Sequence, residues 1–455
     1  MEESTSSEIQ PADASTNENQ NTEIQNKLLE IFFREKFGNL EPPSTECRIN
    51  RVPYHLRNQN NEDYTPHVIS IGPIHHDKKK FQTTEKYKAR YFRSFMQQVI
   101  KHENEIKLEN LESTIKKMED RIRQMEDRIW RCYVETVTLE GDDFVNMIML
   151  DACFILKLII FGISEINDPM RMEGWLFSMV YRELLLLENQ LPFFVIEELY
   201  HLALPSKSNS IPLIQLTFEF FEELNIHKSP NVKIKHFTDL LRFFQLPPTN
   251  KLPKRIPNPI FPKYSVTQLH EAGVKFKVAS RRRDEKVSTK CVRDEVPSRR
   301  ILDLSFKNGV LEIPHSEFSD STEALVRNIM ALEQCDYISE TYVTDFYSIL
   351  DDLINTNEDV ELLINKGILV NYLGDNNAVR SLINNLNRGI IFQNMNSEFC
   401  HLCEDLNEYY EQPWHRWKAM LRHQYFSTPW RSASTVAAII LLVLTLIQTV
   451  FSILK

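Results

Sequence analysis

Apolar residues return every three to four positions along most of this chain, and the breaks in that rhythm mark its elements. Residues 25–37 (QNKLLEIFFREKF) predict an amphipathic helix, and residues 84–132 predict one long helix or a helical pair. Within the latter, Leu108, Leu111, Ile115, Met118, Ile122, Met125 and Ile129 alternate spacings of three and four, and Met-Glu-Asp-Arg-Ile occurs at 118 and again at 125. This is a heptad stripe flanked by charges, on a helix over residues 105–130. Three heptads with methionine at two seam positions make a marginal isolated coiled coil. Packing against the chain's own helices is therefore favoured, and self-association through Leu111, Ile115, Met118, Ile122, Met125 and Ile129 is the alternative.

Apolar runs at 143–164 and 174–203 are broken by charge or by Pro192 before they could span a bilayer cleanly, and both read as core helices. Ile301 to Ile313 changes to alternation around Asn308-Gly309, which predicts a β-hairpin. Helical spacing resumes over 320–412, with Asp320 and Ser321 at its start and a break at Asp375 to Asn377. The predicted fold class is mainly α: a large helical body with a small β-hairpin element and one C-terminal transmembrane helix.

That last helix is the clearest signal. From Ser432 to Leu454 no residue is charged, and a helix of this length reaches about 34 Å against a hydrocarbon core of about 30 Å. Arg416, Lys418, Arg422 and Arg431 precede it with Trp414, Trp417, Tyr425 and Trp430, whereas only Lys455 comes after it. A positive flank with interfacial aromatic residues predicts a single-pass anchor at 432–454 with the body in the cytosol, the plasma membrane being the favoured location. With so little chain after it, the segment would insert after synthesis, as a tail anchor. Thr445, Gln448 and Thr449 could hydrogen-bond a neighbouring helix.

Composition narrows the classes. The chain has 455 residues, 42% apolar and 25% charged, with only 10 glycines, which disfavours glycine-rich phosphate loops. A formal charge of -10 opposes bulk attraction to phosphate backbones, so no nucleic-acid partner is expected. Seven cysteines at 47, 132, 153, 291, 335, 400 and 403 are too scattered for a disulfide scaffold and read as reduced thiols. The chain also has no Asn-x-Ser/Thr acceptor.

Residues 1–24 are acidic and rich in Ser, Asn and Gln, with no signal-peptide pattern, and predict a disordered tail. Residues 25–246 form a helical N-terminal part. The segment 247–300 reads as a Pro-rich and basic linker or loop, from Pro247 to Pro262 and on through Arg281, Arg282 and Arg283; the interleaved acids favour a solvated loop over a phosphate patch. Residues 301–431 form a mixed, mostly helical C-terminal part before the span at 432–454.

Candidate chemistry is sparse. His75-His76 invites a metal, but adjacent side chains do not easily face one ion and no third ligand lies at diagnostic spacing. Cys400-His401-Leu402-Cys403 resembles half a zinc site without its second half, so structural thiols account for it better. Asp151, Glu183, Glu188 and Asn189 lie in apolar surroundings and must be hydrogen-bonded if buried. Paired carboxylates can do acid/base work, yet no partner histidine stands at readable spacing. Signatures of phosphate-loop, dinucleotide, zinc-protease, serine-hydrolase and kinase chemistry are missing from the sequence. No catalytic, cofactor-binding or metal residue and no cofactor is assigned.

Ordered blocks along the chain carry a family resemblance: Arg51-Val-Pro53, Tyr64-x-Pro66, Ser70-Ile-Gly-Pro73 with His75-His76, Met149-Leu-Asp-Ala-Cys-Phe154 and Asn189-Gln-Leu-Pro-Phe-Phe194. Further blocks are Glu271 to Phe276, Leu311 to Pro314, Thr322-Glu323, Arg327-Asn328, Ala331 to Cys335, Asp359-Val360, Gly367-Ile368, Trp414 to Trp417 and Tyr425 to Trp430. From about Cys47 to Leu454 the chain resembles the plant family of domain of unknown function 247. It departs modestly, with Glu183 where that family more often has Asp and Ile74 where an aromatic residue is common. The resemblance implies a plant membrane protein without assigned biochemistry, some of whose relatives are implicated in pollen and stigma self-incompatibility in grasses, and it implies no catalytic residues.

The expectation is a non-enzymatic, membrane-anchored recognition or signalling protein whose cytosolic body binds another protein. The alternative is a membrane-tethered enzyme of unrecognised class built on His55, His67, His75 and His76 with the buried-looking carboxylates. Convergence of those groups in one pocket would favour the enzyme. A third reading reverses the topology and puts the body outside the cell.

Overall fold

The computed structural model describes residues 46–102, 108–134, 141–162, 172–225, 231–280, 298–415 and 429–453, with Ser44, Leu139 and Trp417. The expected tail 1–24, the expected helix 25–37 and the Arg281–Arg283 cluster lie outside them. The chain divides after Thr45, and the unit from Glu46 onward holds all the described helices and strands.

The stretch expected as one helix or two is a pair, α1 (Gln82–His102) and α2 (Leu108–Trp130). Both pack on α3 (Gly141–Phe161), whose apolar residues run all round its circumference and are buried from Phe144 to Ile159. The heptad stripe is part of this core: Met118, Ile122, Met125 and Ile129 are buried, and α2 rests on α3 and α5 (Phe193–Ala203). An intermolecular coiled coil on these positions would have to withdraw them from the protein's own interior. Between α3 and α5 comes α4 (Gly174–Glu183), and beyond α5 come α6 (Leu213–Phe220) and α7 (Phe237–Gln245).

The segment 247–300, expected as a linker or loop, carries folded elements over its described residues. Strand β1 (Arg255–Pro257) pairs antiparallel with β7 (Asn394–Asn396). Arg255 makes a 2.8 Å ion pair with the buried Asp345, so the basic, Pro-rich stretch is pinned to the C-terminal part. Helix α8 (Val266–Ala272) opens with a capping box from Ser265 and Gln268, and β2 (Lys275–Val278) buries Phe276. Charge and proline masked this order, because β1, α8 and β2 are only three, seven and four residues long and mix polar with apolar positions.

The predicted hairpin is present as β3 (Ser305–Lys307) and β4 (Val310–Ile313), while Ile301–Asp303 is a short 3-10 turn. Asn308 and Gly309 both have positive φ, 52° and 73°, as the turn requires. The hairpin is part of a three-stranded sheet ordered β2-β4-β3, with β2 parallel to β4. Helices α9 (Thr322–Asp336), α10 (Tyr342–Leu353), α11 (Asn357–Asn365), α12 (Asn376–Leu386) and α13 (Ser397–Glu411) come next along the chain, and β5 (Ser316–Phe318) pairs in parallel with β6 (Leu369–Asn371). Packing of α7 on α9 joins the N-terminal helices to the C-terminal ones.

Among the described residues, two helices are long and apolar enough to cross a membrane. Most of α3 is buried in the body. The other, α14 (Pro429–Ile453), has no part of its apolar window Ala433–Val450 buried.

Candidate functional site

The four polar groups singled out in apolar surroundings converge on one segment, Val52 to Gly72. Glu183 ends α4 and accepts from the backbone amides of His67 (2.7 Å), Val68 (2.9 Å) and Ile69 (2.8 Å). Asn189 accepts from Ile71 N (2.6 Å) and donates to the carbonyls of Ile69 and Glu183. Asp151, on α3, accepts from Gly72 N (2.8 Å) and from Lys88 of α1. Glu188 accepts from Val52 N (2.7 Å) and from Arg57. A segment of single helical turns at Tyr54–Arg57 and Glu62–Tyr64 and extended backbone beyond them is thus laid across the helices by side chains that take the place of a strand partner.

Glycine is required where this segment passes closest to its support. Gly72 has φ 70°, and a Cβ there would stand 2.5 Å from the carbonyl oxygen of Gln190. Gln190 is itself a hub: its amide donates to the carbonyls of Leu184 and Leu186 and accepts from Phe237 N. The non-helical run Leu184–Gln190 is therefore fully buried and internally hydrogen-bonded.

These roles decide what the carboxylates can do. Both oxygens of Glu183 are occupied by backbone donors; burial raises its pKa, and the same three amides oppose the rise. Asp151 is pushed up by burial and pulled back by the Lys88 ammonium. His75 is fully buried, with Nε2 2.9 Å from Glu188 Oε2 but without hydrogen-bond alignment. Burial and the cations Lys78, Arg51 and Arg57 push it down to about 3, so the imidazole is neutral. His76 is half-buried, and His55 is exposed.

One cleft, of about 250 Å³, opens beside the Glu183 cradle against the start of α9. Asp63, His67, Arg182, Glu183, Asp320 and Leu325 contribute to its lining. Arg327 stands 3.1 Å from Asp63 and 2.7 Å from Glu323. A guanidinium shared between two carboxylates does not offset the burial of Asp63, whose pKa rises to about 6. Asn328 ties the cleft wall to the hub, accepting from Leu187 N and donating to the carbonyls of Asp63 and Ala324. A second cavity of about 240 Å³, with Arg299, His315 and Glu317 at its edge, shares Ser321 and Leu325 with the first.

The histidines thus disperse: His67 borders the cleft, His75 lies in the interior, and His55 and His76 lie elsewhere. Cys400 and Cys403 are buried one turn apart on α13, while His401 faces Glu404 at 3.2 Å on the surface. No group of three or more His, Cys, Asp or Glu side chains placed to hold a metal occurs among the described residues.

Several participants have no signature in the sequence. Lys88, Arg57 and Asp63 carry no motif, and Asn328 stands out only as a residue of resemblance. The same device recurs in the C-terminal part. Buried Glu333 accepts from Val343 N, Thr344 N, Thr344 Oγ1 and Arg242, and Asp359 accepts from Thr267 N, Asn355 N and Thr356 N. Glu333 is marked in the sequence by its place in an apolar helical run, and Asp359 by its place as the third residue of a Thr356 capping box.

Comparison with known proteins agrees with the resemblance drawn from the residues. The model of a family described as plant protein of unknown function matches residues 49–444. A UPF0481 protein of Arabidopsis thaliana is 32% identical over 432 residues, covering 90% of this chain and 87% of the relative. A putative UPF0481 protein of the same plant is 20% identical over 499 residues, covering 87% and 88%. No solved structure matches. The chain belongs to the plant protein family of domain of unknown function 247.

Proposed function

We propose that this protein is a non-enzymatic, membrane-tethered recognition protein, held by residues 432–454 with its helical body in the cytosol, where the body binds another protein. The contrast between two equally apolar helices carries the reading. The body takes α3 into its core and leaves the apolar face of α14 uncovered on every side. An unburied apolar helix of this length is stable in hydrocarbon and a liability in water. Exposed Trp414, Trp417 and Trp430 on its N-terminal side suit the membrane interface.

Recognition rather than catalysis is supported by the use made of the acids. Asp151, Glu183 and Glu188 hold backbone amides and cations of the protein itself, a use that serves the fold. A membrane-tethered enzyme has one observation in its favour, the meeting of Asp63, His67 and Glu183 at a single cleft. The amide donors on Glu183 weigh against it.

Protease digestion of intact vesicles, cytosolic face outward, with tags at both ends of the chain tests the arrangement. Loss of the N-terminal tag and the body without detergent is the expected result. Full protection would place the body in the lumen or outside the cell and replace the cytosolic reading.

A further inference from the structure

Two cysteines come together at the first turn of the described body. Cys47 lies on the segment Glu46–Asn50, which runs beside the end of α2: Ile49 N donates to Cys132 O at 2.6 Å, and Val134 N donates to Ile49 O at 3.3 Å. Cys47 is 1% exposed and Cys132 0%. The Cys132 thiol is the main influence on the Cys47 thiol, and together with burial it drives the Cys47 pKa well above the ordinary thiol value. Cys47 Sγ also lies 3.6 Å from Lys235 O, and Cys132 Sγ lies 3.2 Å from Arg128 O. The outer end of the segment is held by an exposed pair, Arg128 to Glu46 at 2.6 Å.

We propose that Cys47 and Cys132 are a redox-responsive pair that closes to a disulfide, fastening the Glu46–Asn50 segment to the end of α2. The segment lies at the start of the described body and its outer end is held to α2 through the exposed Arg128–Glu46 pair, so local opening there exposes both sulfurs to a small oxidant at once. With a peroxide, one thiolate attacks oxygen, the O–O bond breaks, and a sulfenic acid forms as hydroxide leaves and takes up a proton. The second thiolate then attacks that sulfur, and hydroxide leaves again to become water. Two thiols and one peroxide give one disulfide and two waters; sulfur loses the two electrons that oxygen gains. Burial of both sulfurs and the raised pKa of the Cys47 thiol make the reaction slow at neutral pH and faster as pH rises. The bond closes a long loop that includes all of α1 and α2, which restricts the unfolded chain and stabilises the body.

Treating the full-length chain in detergent with hydrogen peroxide, alkylating the remaining thiols, and mapping the unreduced digest by mass spectrometry tests the pair. The expected product is a peptide joining Cys47 to Cys132 in most molecules, with an unfolding temperature a few degrees higher that dithiothreitol returns to its starting value. Cys132→Ser should lose both the joined peptide and the shift. Recovery of Cys47 and Cys132 unjoined, each joined chiefly to another cysteine, or oxidised singly to sulfinic acid would overturn the proposal. The wild-type map decides this without reliance on the variant's folding.

Discussion

Removing the Glu183 carboxylate would leave the amides of His67, Val68 and Ile69 buried without an acceptor. Each such group costs about 1–3 kcal/mol, so Glu183→Ala should destabilise the body by several kcal/mol, while Glu183→Gln, which keeps one acceptor oxygen, should cost less. Denaturant titration of the detergent-solubilised chain checks the order. His75 makes a pH-dependent contribution of definite sign. Its folded pKa, about 3, lies below the ordinary 6.5, so its contribution is present above pH 6.5 and is lost as pH falls from there toward 3. Asp63 and Asp345, each raised to about 6, act oppositely: their contribution is present below the ordinary carboxylate range and is lost as pH rises through about 6. Comparing stability against pH for the wild type and His75→Asn isolates the histidine. The wild type should lose more stability than the variant between pH 6.5 and 4. The sequence disclosed the acids, since Asp151, Glu183, Glu188 and Asn189 stand out in apolar runs, but not their partners. Those partners are backbone amides about 80 to 140 positions away in the chain, and an amide has no residue identity to read.

At the scale of elements, periodicity served well where a helix is long and a turn is chemically marked. The α1–α2 pair, the core helix α3 and the Asn308-Gly309 hairpin all follow from spacing or turn type. Short elements in the proline-rich stretch did not, because β1, α8 and β2 gain their order from distant partners such as Asp345, Asp359 and β4. The heptad stripe illustrates a limit of pattern alone, which fixes the helix face and leaves its partner open. Since Ile122 is buried between α2 and the rest of the core, Ile122→Ala should cost about 2–5 kcal/mol and leave the oligomeric state unchanged. Unfolding measurements with light scattering distinguish this from a coiled-coil dimer, which would dissociate. Gly309→Ala should cost about 1 kcal/mol, since φ is 73° there and a Cβ would stand 3.1 Å from the Tyr409 hydroxyl.

For the whole molecule, the decisive contrast lies between what the body buries and what it leaves out. Charge, cysteine spacing and motif content narrow the classes without identifying a partner, and the cleft beside Glu183 is assembled only by the fold. Its residues come from a turn near position 63, the end of α4 and the start of α9. The central claim is that residues 432–454 alone hold a self-sufficient body at the membrane. Expressing the full chain and a chain ending at residue 431, and partitioning both by alkaline carbonate extraction, tests it most directly. The full chain should remain with the membranes and the shorter one should be released in folded form. Release of the full chain, or retention of the shorter one, would contradict the account.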